Sequence, residues 1–344
     1  MITKQLKKYI LTFSSLIHKR GVKKIIKISV ATICVIVNTI LLASLYTNII
    51  LGVSLPAKIA ELYLWTTDSK ETFATTDDLN LYFEQQAKLN AEPIKVPKTK
   101  STITKISVTG FPVFFLDEDS NAKKIVLYLH GGAYVKQPNS NHWSFVDRLA
   151  QEADIPVVFP IYPLAPDYQF EDGYTFIQEV YDILIKRGYT DIIFMGDSAG
   201  GGFALGFAEW LNKQTIQQPE KLILLSPWLD LTLENPEISK YDPLDPMLSP
   251  SGLIEKGKSW AGNADRKDYR LSPIFGDLQG LPPIVMFVGT HEIILADAQK
   301  LKNMADNANI DITYYEYEGM NHVFPLFSIP EADKAFDQIK YQLF

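Results

Sequence analysis

The sequence predicts an α/β fold built on a largely parallel, doubly wound sheet of eight strands. Short apolar runs alternate with helical patterns from residue 102 to the end, and such alternation is typical of repeated β-α units. The run KIVLYL at 124–129 is apolar after its first residue, as expected for a central strand covered on both faces. A G-x-S-x-G motif at Gly196–Gly200 lies between a strand pattern and a helix pattern, which indicates a tight strand–turn–helix junction.

The N-terminal segment differs from the rest of the chain in charge. Residues 1–27 hold eight Lys/Arg, and no Asp or Glu occurs before residue 58. The uncharged run at 28–55 is longer than the ~20 apolar residues that a helix needs to cross a bilayer. It is also longer than the apolar region of a signal peptide, which has ~7–15 residues. The run predicts a single-pass transmembrane anchor at the cell membrane, with a cleaved signal peptide as the alternative. Since Lys and Arg favour the cytoplasmic side, residues 1–27 are a predicted cytoplasmic tail and the catalytic domain is predicted to be extracellular.

Composition and charge exclude several classes of protein. The chain is 47% hydrophobic and 21% charged, which indicates a globular protein rather than a disordered one. After the N-terminal segment, 25 basic residues stand against 40 acidic ones, and this acidic balance argues against nucleic acid as a partner. The single cysteine, Cys34, excludes an internal disulfide. No Cys/His cluster has zinc-site spacing, so neither a metal nor a cofactor is predicted. The oligomeric state is not indicated.

The predicted elements follow the anchor in a regular order. Residues 58–100 predict two helices, around 59–65 and 79–89, in a connector or a lid. Residues 101–344 form the predicted catalytic domain, in which 231–270 interrupts the alternation as a lid insertion. The predicted strands are 102–108, 113–116, 124–129, 156–160, 191–195, 222–225, 284–288 and 311–317. The predicted helices are 143–152, 174–187, 202–211, 295–307 and 331–343.

Ser198 is the predicted nucleophile. The strand 191–195 leads into the motif and an apolar helical pattern follows it. A sharp turn in this context lifts the serine oxygen above the sheet edge, and the small residues around Ser198 allow a strained turn. The alternative is an ordinary glycine-rich turn. Asp197 is interpreted as a structural hydrogen-bonding residue near the turn.

The glycines after the central strand predict an oxyanion hole. Acyl transfer passes through a tetrahedral oxyanion, which needs donors already directed at it. The segment His130-Gly131-Gly132 directly follows the run at 124–129. The N–H groups of Gly131 and Gly132, together with that of Ala199, are the predicted donors. The alternative is a plain Gly-Gly turn.

These two motifs, HGGA at 130–133 and GDSAGG at 196–201, resemble those of the hormone-sensitive-lipase-like family of α/β-hydrolases. That family includes bacterial carboxylesterases and arylacetamide deacetylases. The likeness extends to YPLAP at 162–166 and LSPW at 225–228, and covers about residue 123 to the C-terminus. It implies the α/β-hydrolase fold with a helical lid built from N-terminal residues and a later insertion. Ala133 departs from the family's third glycine, and Pro163 from its usual arginine.

His322 is the predicted base. It lies just past the strand 311–317. The catalytic residues of this fold occur along the chain in the order serine, acid, histidine, so a histidine is required on this loop. His322 also matches the terminal histidine loop of the family that the chain resembles. His291 precedes the last crossover helix and fits this place less well.

Glu292 is the predicted acid, because it follows the strand 284–288 almost directly. The family that the chain resembles usually has Asp at this position, and Glu is chemically acceptable there. Asp297 is the alternative, although it lies a turn or more into the following helix. Ser198, Glu292 and His322 then occur in the chain order that the fold demands.

Together these features predict a membrane-anchored serine carboxylesterase. It is expected to hydrolyse short- to medium-chain carboxylic esters, its small-molecule substrates, through an acyl-enzyme intermediate. One alternative within enzymes is a deacetylase of envelope glycans or amides. An alternative of another class is a non-catalytic binding module that kept the α/β-hydrolase fold.

Overall fold

A computed structural model describes residues 32–33, 35–67 and 69–344. The predicted cytoplasmic tail and the first residues of the predicted anchor, 28–31, lie outside the described residues. The chain divides into two compact units, one ending at Leu55 and the other spanning Pro56–Phe344.

The first unit contains helix α1 (Val35–Ile50), and most of its large apolar side chains are exposed. Among the described residues, no single helix is long and apolar enough to cross a membrane. Helix α1 and the next helix, α2 (Leu55–Trp65), are long and apolar enough for a membrane span only when taken together, as a pair bent by 90°. A continuous transmembrane helix at 28–55 is therefore not supported.

The second unit alternates strands and helices in the predicted order. Its strands are β1 (Ile103–Val108), β2 (Phe111–Leu116), β3 (Lys124–Leu129), β4 (Val157–Pro160), β5 (Asp191–Asp197), β6 (Lys221–Leu225), β7 (Ile284–His291) and β8 (Ile312–Asn321). After α2, its helices are α3 (Thr76–Asn90), α4 (Ser140–Glu152), α5 (Phe170–Lys186), α6 (Ala199–Lys213), α7 (Ile238–Tyr241), α8 (Pro250–Ala261), α9 (Leu295–Ala308) and α10 (Pro330–Gln342). Two 3-10 turns lie at Pro273–Phe275 and Phe324–Leu326.

In the part of the chain that the structure describes, all eight strands form one sheet in the order β1-β2-β4-β3-β5-β6-β7-β8. Strand β2 is antiparallel to β1 and β4, and the other neighbours are parallel. The predicted eight-stranded, mostly parallel sheet is confirmed. The carboxyl ends of the parallel strands β3, β5, β6, β7 and β8 share one edge, where open α/β sheets place their sites.

Helices cover both faces of the sheet. On one face, Tyr128 of β3 contacts Phe145 of α4 with 5.6 Å between ring centroids, and Phe145 meets Phe336 of α10 at 6.0 Å. On the other face, Phe194 of β5 stacks on Phe207 of α6 at 5.7 Å. Successive side chains of a strand point to opposite faces of the sheet. Because helices cover both faces, apolar side chains are needed on both sides of a central strand, which explains the continuous apolar runs in the sequence.

The segments expected to form a lid contact the catalytic domain beside the loop after β3. Asn90, at the end of α3, donates from Nδ2 to the carbonyl oxygen of Val135 at 2.9 Å. Ser249, which caps α8 in the insertion, donates to the carbonyl oxygen of Glu71. The segment before β1 is thus joined to the insertion between β6 and β7 and to the loop after β3.

Candidate active site

Ser198 lies at the junction of β5 and α6 in a strained backbone conformation, with φ 51° and ψ −122°. Such angles in a residue with a side chain persist only where surrounding structure holds them. The Ser198 N–H donates to the carbonyl of Leu225 at 2.9 Å, and its own carbonyl accepts from the N–H of Trp228 at 2.9 Å. The end of β6 therefore fixes the turn.

The glycines of the motif are required by the close approach of α6 to the sheet. A Cβ on Gly200 would lie 2.0 Å from the carbonyl oxygen of Leu129 at the end of β3. A Cβ on Gly196 would lie 2.4 Å from the carbonyl oxygen of Gly200. Real Cβ contacts are not this short, so both positions need glycine for the helix to begin directly after Ser198.

A chain of hydrogen bonds joins the three residues predicted to form the catalytic group. His322 Nε2 lies 2.9 Å from Ser198 Oγ, and His322 Nδ1 lies 2.5 Å from Glu292 Oε2. This is the arrangement of nucleophile, base and orienting acid that activates a serine. The structure thus brings Ser198, His322 and Glu292 together, from the ends of β5, β8 and β7.

Ser226 holds the acid and the histidine loop in place. Glu292 is fully buried, and its Oε1 accepts from Ser226 Oγ at 2.8 Å and from Gly289 N–H at 2.6 Å. These bonds leave Oε2 to His322. Ser226 Oγ also accepts from the N–H of Val323 at 3.1 Å, so it links both loops. Ser226 was not predicted as a site residue, since its only signal in the sequence was its place in the LSPW segment.

The electrostatic surroundings of His322 favour its charged form. Burial disfavours the imidazolium, but the hydrogen bond and the negative charge of Glu292 outweigh burial and raise the pKa of His322 above its ordinary 6.5. The carboxylates of Asp245 and Asp197 act in the same direction. These groups therefore stabilise the imidazolium that would form when His322 accepts a proton.

The alternative residues lie elsewhere. Asp297 is buried in α9, where its Oδ1 accepts from Asn235 Nδ2 at 2.9 Å and burial raises its pKa to about 6. His291 Nδ1 is 2.6 Å from Glu61 Oε1. Within the described residues, Asp297 forms no hydrogen bond with His322. In the same part of the chain, His291 forms none with Ser198 or with Glu292.

Gly131 does not fit the donor role predicted for it. Its N–H donates to Asp197 Oδ1 at 3.0 Å, so it is already occupied by a carboxylate. Tyr128 donates to the same oxygen at 2.7 Å, and His142 Nε2 lies 3.2 Å from Oδ2. The structural interpretation of Asp197 agrees with these contacts, whereas the expectation that Gly131 supplies an oxyanion donor is wrong.

The next two amides are the free ones. The N–H groups of Gly132 and Ala133 have no hydrogen-bond partner among residues 32–33, 35–67 and 69–344, and both residues line the cavity that contains Ser198. Their φ angles are 118° and 54°, so Ala133 takes the left-handed conformation that favours glycine. Ala199 begins α6 immediately after Ser198. The free N–H of Ala133 was not predicted, although its place at the family's third glycine was a signal in the sequence.

The cavity at Ser198 has a volume of about 290 Å³ and a lining of mixed polarity. Its apolar side chains include Met247, Leu248, Leu253, Val323, Leu326 and Phe327. Its polar side chains include Ser69, Glu71, Lys136, Asn139, Asn141, Ser249 and Lys256. No group of His, Cys, Asp and Glu that could hold a metal ion occurs in the described part of the chain.

Comparison with known proteins agrees with the observed fold. The alpha/beta hydrolase fold family matches residues 126–326. An esterase of Acinetobacter venetianus is 33% identical over 225 residues, which are 64% of this chain and 74% of that protein.

Solved structures give the same result. An esterase candidate from Staphylococcus aureus has a TM-score of 0.78 and 32% identity, over 82% of this chain and 97% of its own. An esterase from the bacterial hormone-sensitive lipase family has a TM-score of 0.72 and 26% identity, over 84% and 97%. The chain therefore belongs to the α/β-hydrolase fold family, among the hormone-sensitive-lipase-like carboxylic ester hydrolases.

Proposed function

We propose that the protein is a serine carboxylesterase with Ser198 as nucleophile, His322 as base and Glu292 as the orienting acid. The observation that carries the proposal is the continuous hydrogen-bond chain from Glu292 through His322 to Ser198 Oγ. This chain opens into a cavity lined by amides with no partner in the described structure.

The mechanism follows from these positions. His322 Nε2 takes the Ser198 proton as Oγ attacks the ester carbonyl carbon. The resulting oxyanion is held by the N–H groups of Gly132, Ala133 and Ala199. The tetrahedral intermediate collapses, the alkoxy oxygen leaves with the proton from His322, and an acyl-enzyme remains. Water then attacks the acyl carbon while His322 again acts as base, which releases the acid and restores Ser198.

The size of the cavity favours short- to medium-chain acyl groups. Its volume of about 290 Å³ lies just below the range for small-molecule sites, roughly 300–1,000 Å³. Its apolar side chains supply a surface for an aliphatic chain, whose burial contributes about 0.8 kcal/mol per methylene.

A series of 4-nitrophenyl esters from acetate to dodecanoate tests the proposal. We expect kcat/KM to be highest among the shorter esters, and Ser198→Ala to lower kcat by at least about 10³-fold. Equal rates for the two proteins would remove Ser198 from the mechanism. If acetylated sugars or amides were turned over much faster than every simple ester, in a Ser198-dependent manner, the deacetylase alternative would replace the esterase.

We also propose that the N-terminal segment holds the protein at the cell membrane with residues 56–344 outside. The support is the basic composition of residues 1–27 followed by the uncharged residues 28–55, together with the exposed apolar side chains of α1. Protease added to intact cells should remove the catalytic domain from the membrane fraction. Full protection of that domain in intact, right-side-out cells would contradict this location.

A further inference from the structure

Three charged side chains form a cluster in the wall of the cavity that contains Ser198. Glu71 Oε1 accepts from Lys136 Nζ at 2.8 Å, and the other carboxylate oxygen of Glu71 pairs with Lys256 Nζ. Lys136, Glu71 and Lys256 all line the cavity. Lys256 is nearly enclosed, with 8% of its side chain exposed, whereas 44% of the Lys136 side chain is exposed. A cluster of this kind is not needed for the esterase chemistry derived above.

The cluster carries an excess of positive charge. Two ammonium groups share one carboxylate, which leaves the cluster itself with a net charge of +1. The other carboxylate that lines the cavity, Asp197, is bound by Gly131, Tyr128 and His142. Within the described residues, Asp197 forms no hydrogen bond or ion pair with either lysine.

The cluster also has hydrogen-bond donors to spare. Each ammonium has three N–H donors, and Glu71 takes one from Lys136 and one from Lys256. No other hydrogen bond from either Nζ occurs within the described residues. Leaving donors of a nearly buried charge unmet is unfavourable, so a negatively charged oxygen in the cavity would gain from both the charge and the free donors.

The cavity that contains the cluster also has apolar side chains in its lining. Leu248 and Phe327 line it together with the lysines, Ser249 and Asn141. An ester that bears an anionic group has both a hydrocarbon portion and a charge, so this mixed lining suits it.

We propose that Lys136 and Lys256 form an anion subsite, so that the substrate of Ser198 is an ester bearing a carboxylate or phosphate group. This inference rests on the proposed esterase function and narrows its substrate class. The Lys–Glu–Lys arrangement keeps the two cations in place when the subsite is empty and leaves their remaining N–H groups for the substrate anion.

Matched esters test the subsite. The first set has one acetyl group on different alcohols: 4-acetoxybenzoate, 4-acetoxyphenyl phosphate and the neutral methyl 4-acetoxybenzoate. The second compares the mono-4-nitrophenyl ester of adipic acid with neutral 4-nitrophenyl hexanoate. The quantity measured is the ratio of kcat/KM for the charged ester to that for its neutral counterpart. Comparing this ratio between variants cancels the intrinsic reactivities of the esters.

Two variants change the subsite in opposite directions. We expect Lys136→Met to lower the ratio about tenfold for at least one charged ester, because it removes a charged hydrogen-bond donor. We expect Glu71→Gln to raise the ratio, because it removes the internal counter-charge. Lys302→Met serves as the control, since Lys302 pairs with Asp306 on α9 and does not line the cavity. Its ratio should equal that of the wild type.

The outcomes separate this inference from the proposed function. The ester whose ratio falls most in Lys136→Met shows whether the subsite prefers a carboxylate or a phosphate. The same result shows whether that group lies on the acyl side or on the alcohol side of the ester. If ratios in Lys136→Met and Lys302→Met are the same for every pair while neutral esters are still hydrolysed through Ser198, the subsite is rejected and the esterase stands. If no ester is hydrolysed through Ser198, both are rejected.

Discussion

The Gly131 N–H donates to Asp197 Oδ1 across 3.0 Å, which ties the loop after β3 to the residue that precedes Ser198. Tyr128 adds a second donor to the same oxygen, and His142 lies on the other oxygen. Charge and hydrogen bonds from these groups oppose burial and hold the pKa of Asp197 below its ordinary value. Through this carboxylate the nucleophile turn and the proposed oxyanion loop are fixed relative to each other.

Asp197→Ala should therefore affect both stability and rate. It leaves the Gly131 N–H and the Tyr128 hydroxyl buried without a partner, so we expect the free energy of unfolding to fall by about 2–4 kcal/mol. We expect kcat to fall at least about tenfold, because a misplaced oxyanion donor costs transition-state stabilisation. Urea denaturation and ester kinetics measure the two effects. The exposed Asp337→Ala is the control, and an Asp197→Ala protein with the stability and kcat of that control would contradict this role.

The choice of acid is tested by paired substitutions. Glu292→Gln keeps the shape of the side chain but removes the charge that stabilises the His322 imidazolium, so kcat should fall by about 10³–10⁴-fold. Asp297→Asn should change kcat by less than about threefold, because Asp297 bonds Asn235 rather than His322. Both variants are compared by steady-state kinetics on one short ester. A larger loss in Asp297→Asn than in Glu292→Gln would reverse the assignment.

The pH profile should report the raised pKa of His322. His322 must be neutral to accept the Ser198 proton, so the rate falls as pH falls through that pKa. Because Glu292 raises the pKa of His322 above 6.5, the acid limb of kcat/KM should lie above pH 6.5. In Glu292→Gln the opposing effect of burial remains, and the limb should move to lower pH. Profiles of both proteins between about pH 5 and 9 measure this shift, and an unmoved limb would exclude Glu292 as its cause.

The close approach of α6 to β3 gives a prediction about folding. Gly200→Ala would place a Cβ 2.0 Å from the carbonyl oxygen of Leu129, a clash with backbone that neither element can relieve locally. We expect loss of soluble folded protein, or a free energy of unfolding lower by more than about 3 kcal/mol. Gly257→Ala in α8 is the matched control, since its nearest contact is the Leu231 side chain at 3.3 Å. Circular dichroism melts of both variants compare them, and equal stability would contradict the packing argument.

The sequence allowed prediction of those site residues whose positions depend on strand ends. Ser198, Glu292 and His322 each follow a strand of the parallel sheet, and carboxyl ends of parallel strands meet at one edge. Their contact could therefore be expected before any coordinates. The helices α7 and α8 of the insertion do not directly follow strands of the sheet. The sequence therefore predicted the insertion only as a break in the alternation of strands and helices.

Other features depend on contacts between distant residues and left no local pattern. The error at Gly131 arose because its N–H is taken by Asp197, 66 residues later. The pairing of Glu71 with Lys256 spans 185 residues. Ser226 looked like one residue of a strand-end segment, yet it bonds Glu292 and the His322 loop. Side-chain hydrogen bonds of this kind follow from the folded geometry rather than from periodicity.

Covalent labelling tests most directly whether Ser198 Oγ is the nucleophile. The protein is incubated with diethyl 4-nitrophenyl phosphate, which phosphorylates an activated serine, and its peptides are analysed by mass spectrometry. We expect one diethylphosphoryl group per chain on the peptide that contains Ser198, and no label in Ser198→Ala or His322→Ala. Label on another residue, or equal labelling of the wild type and Ser198→Ala, would contradict the account.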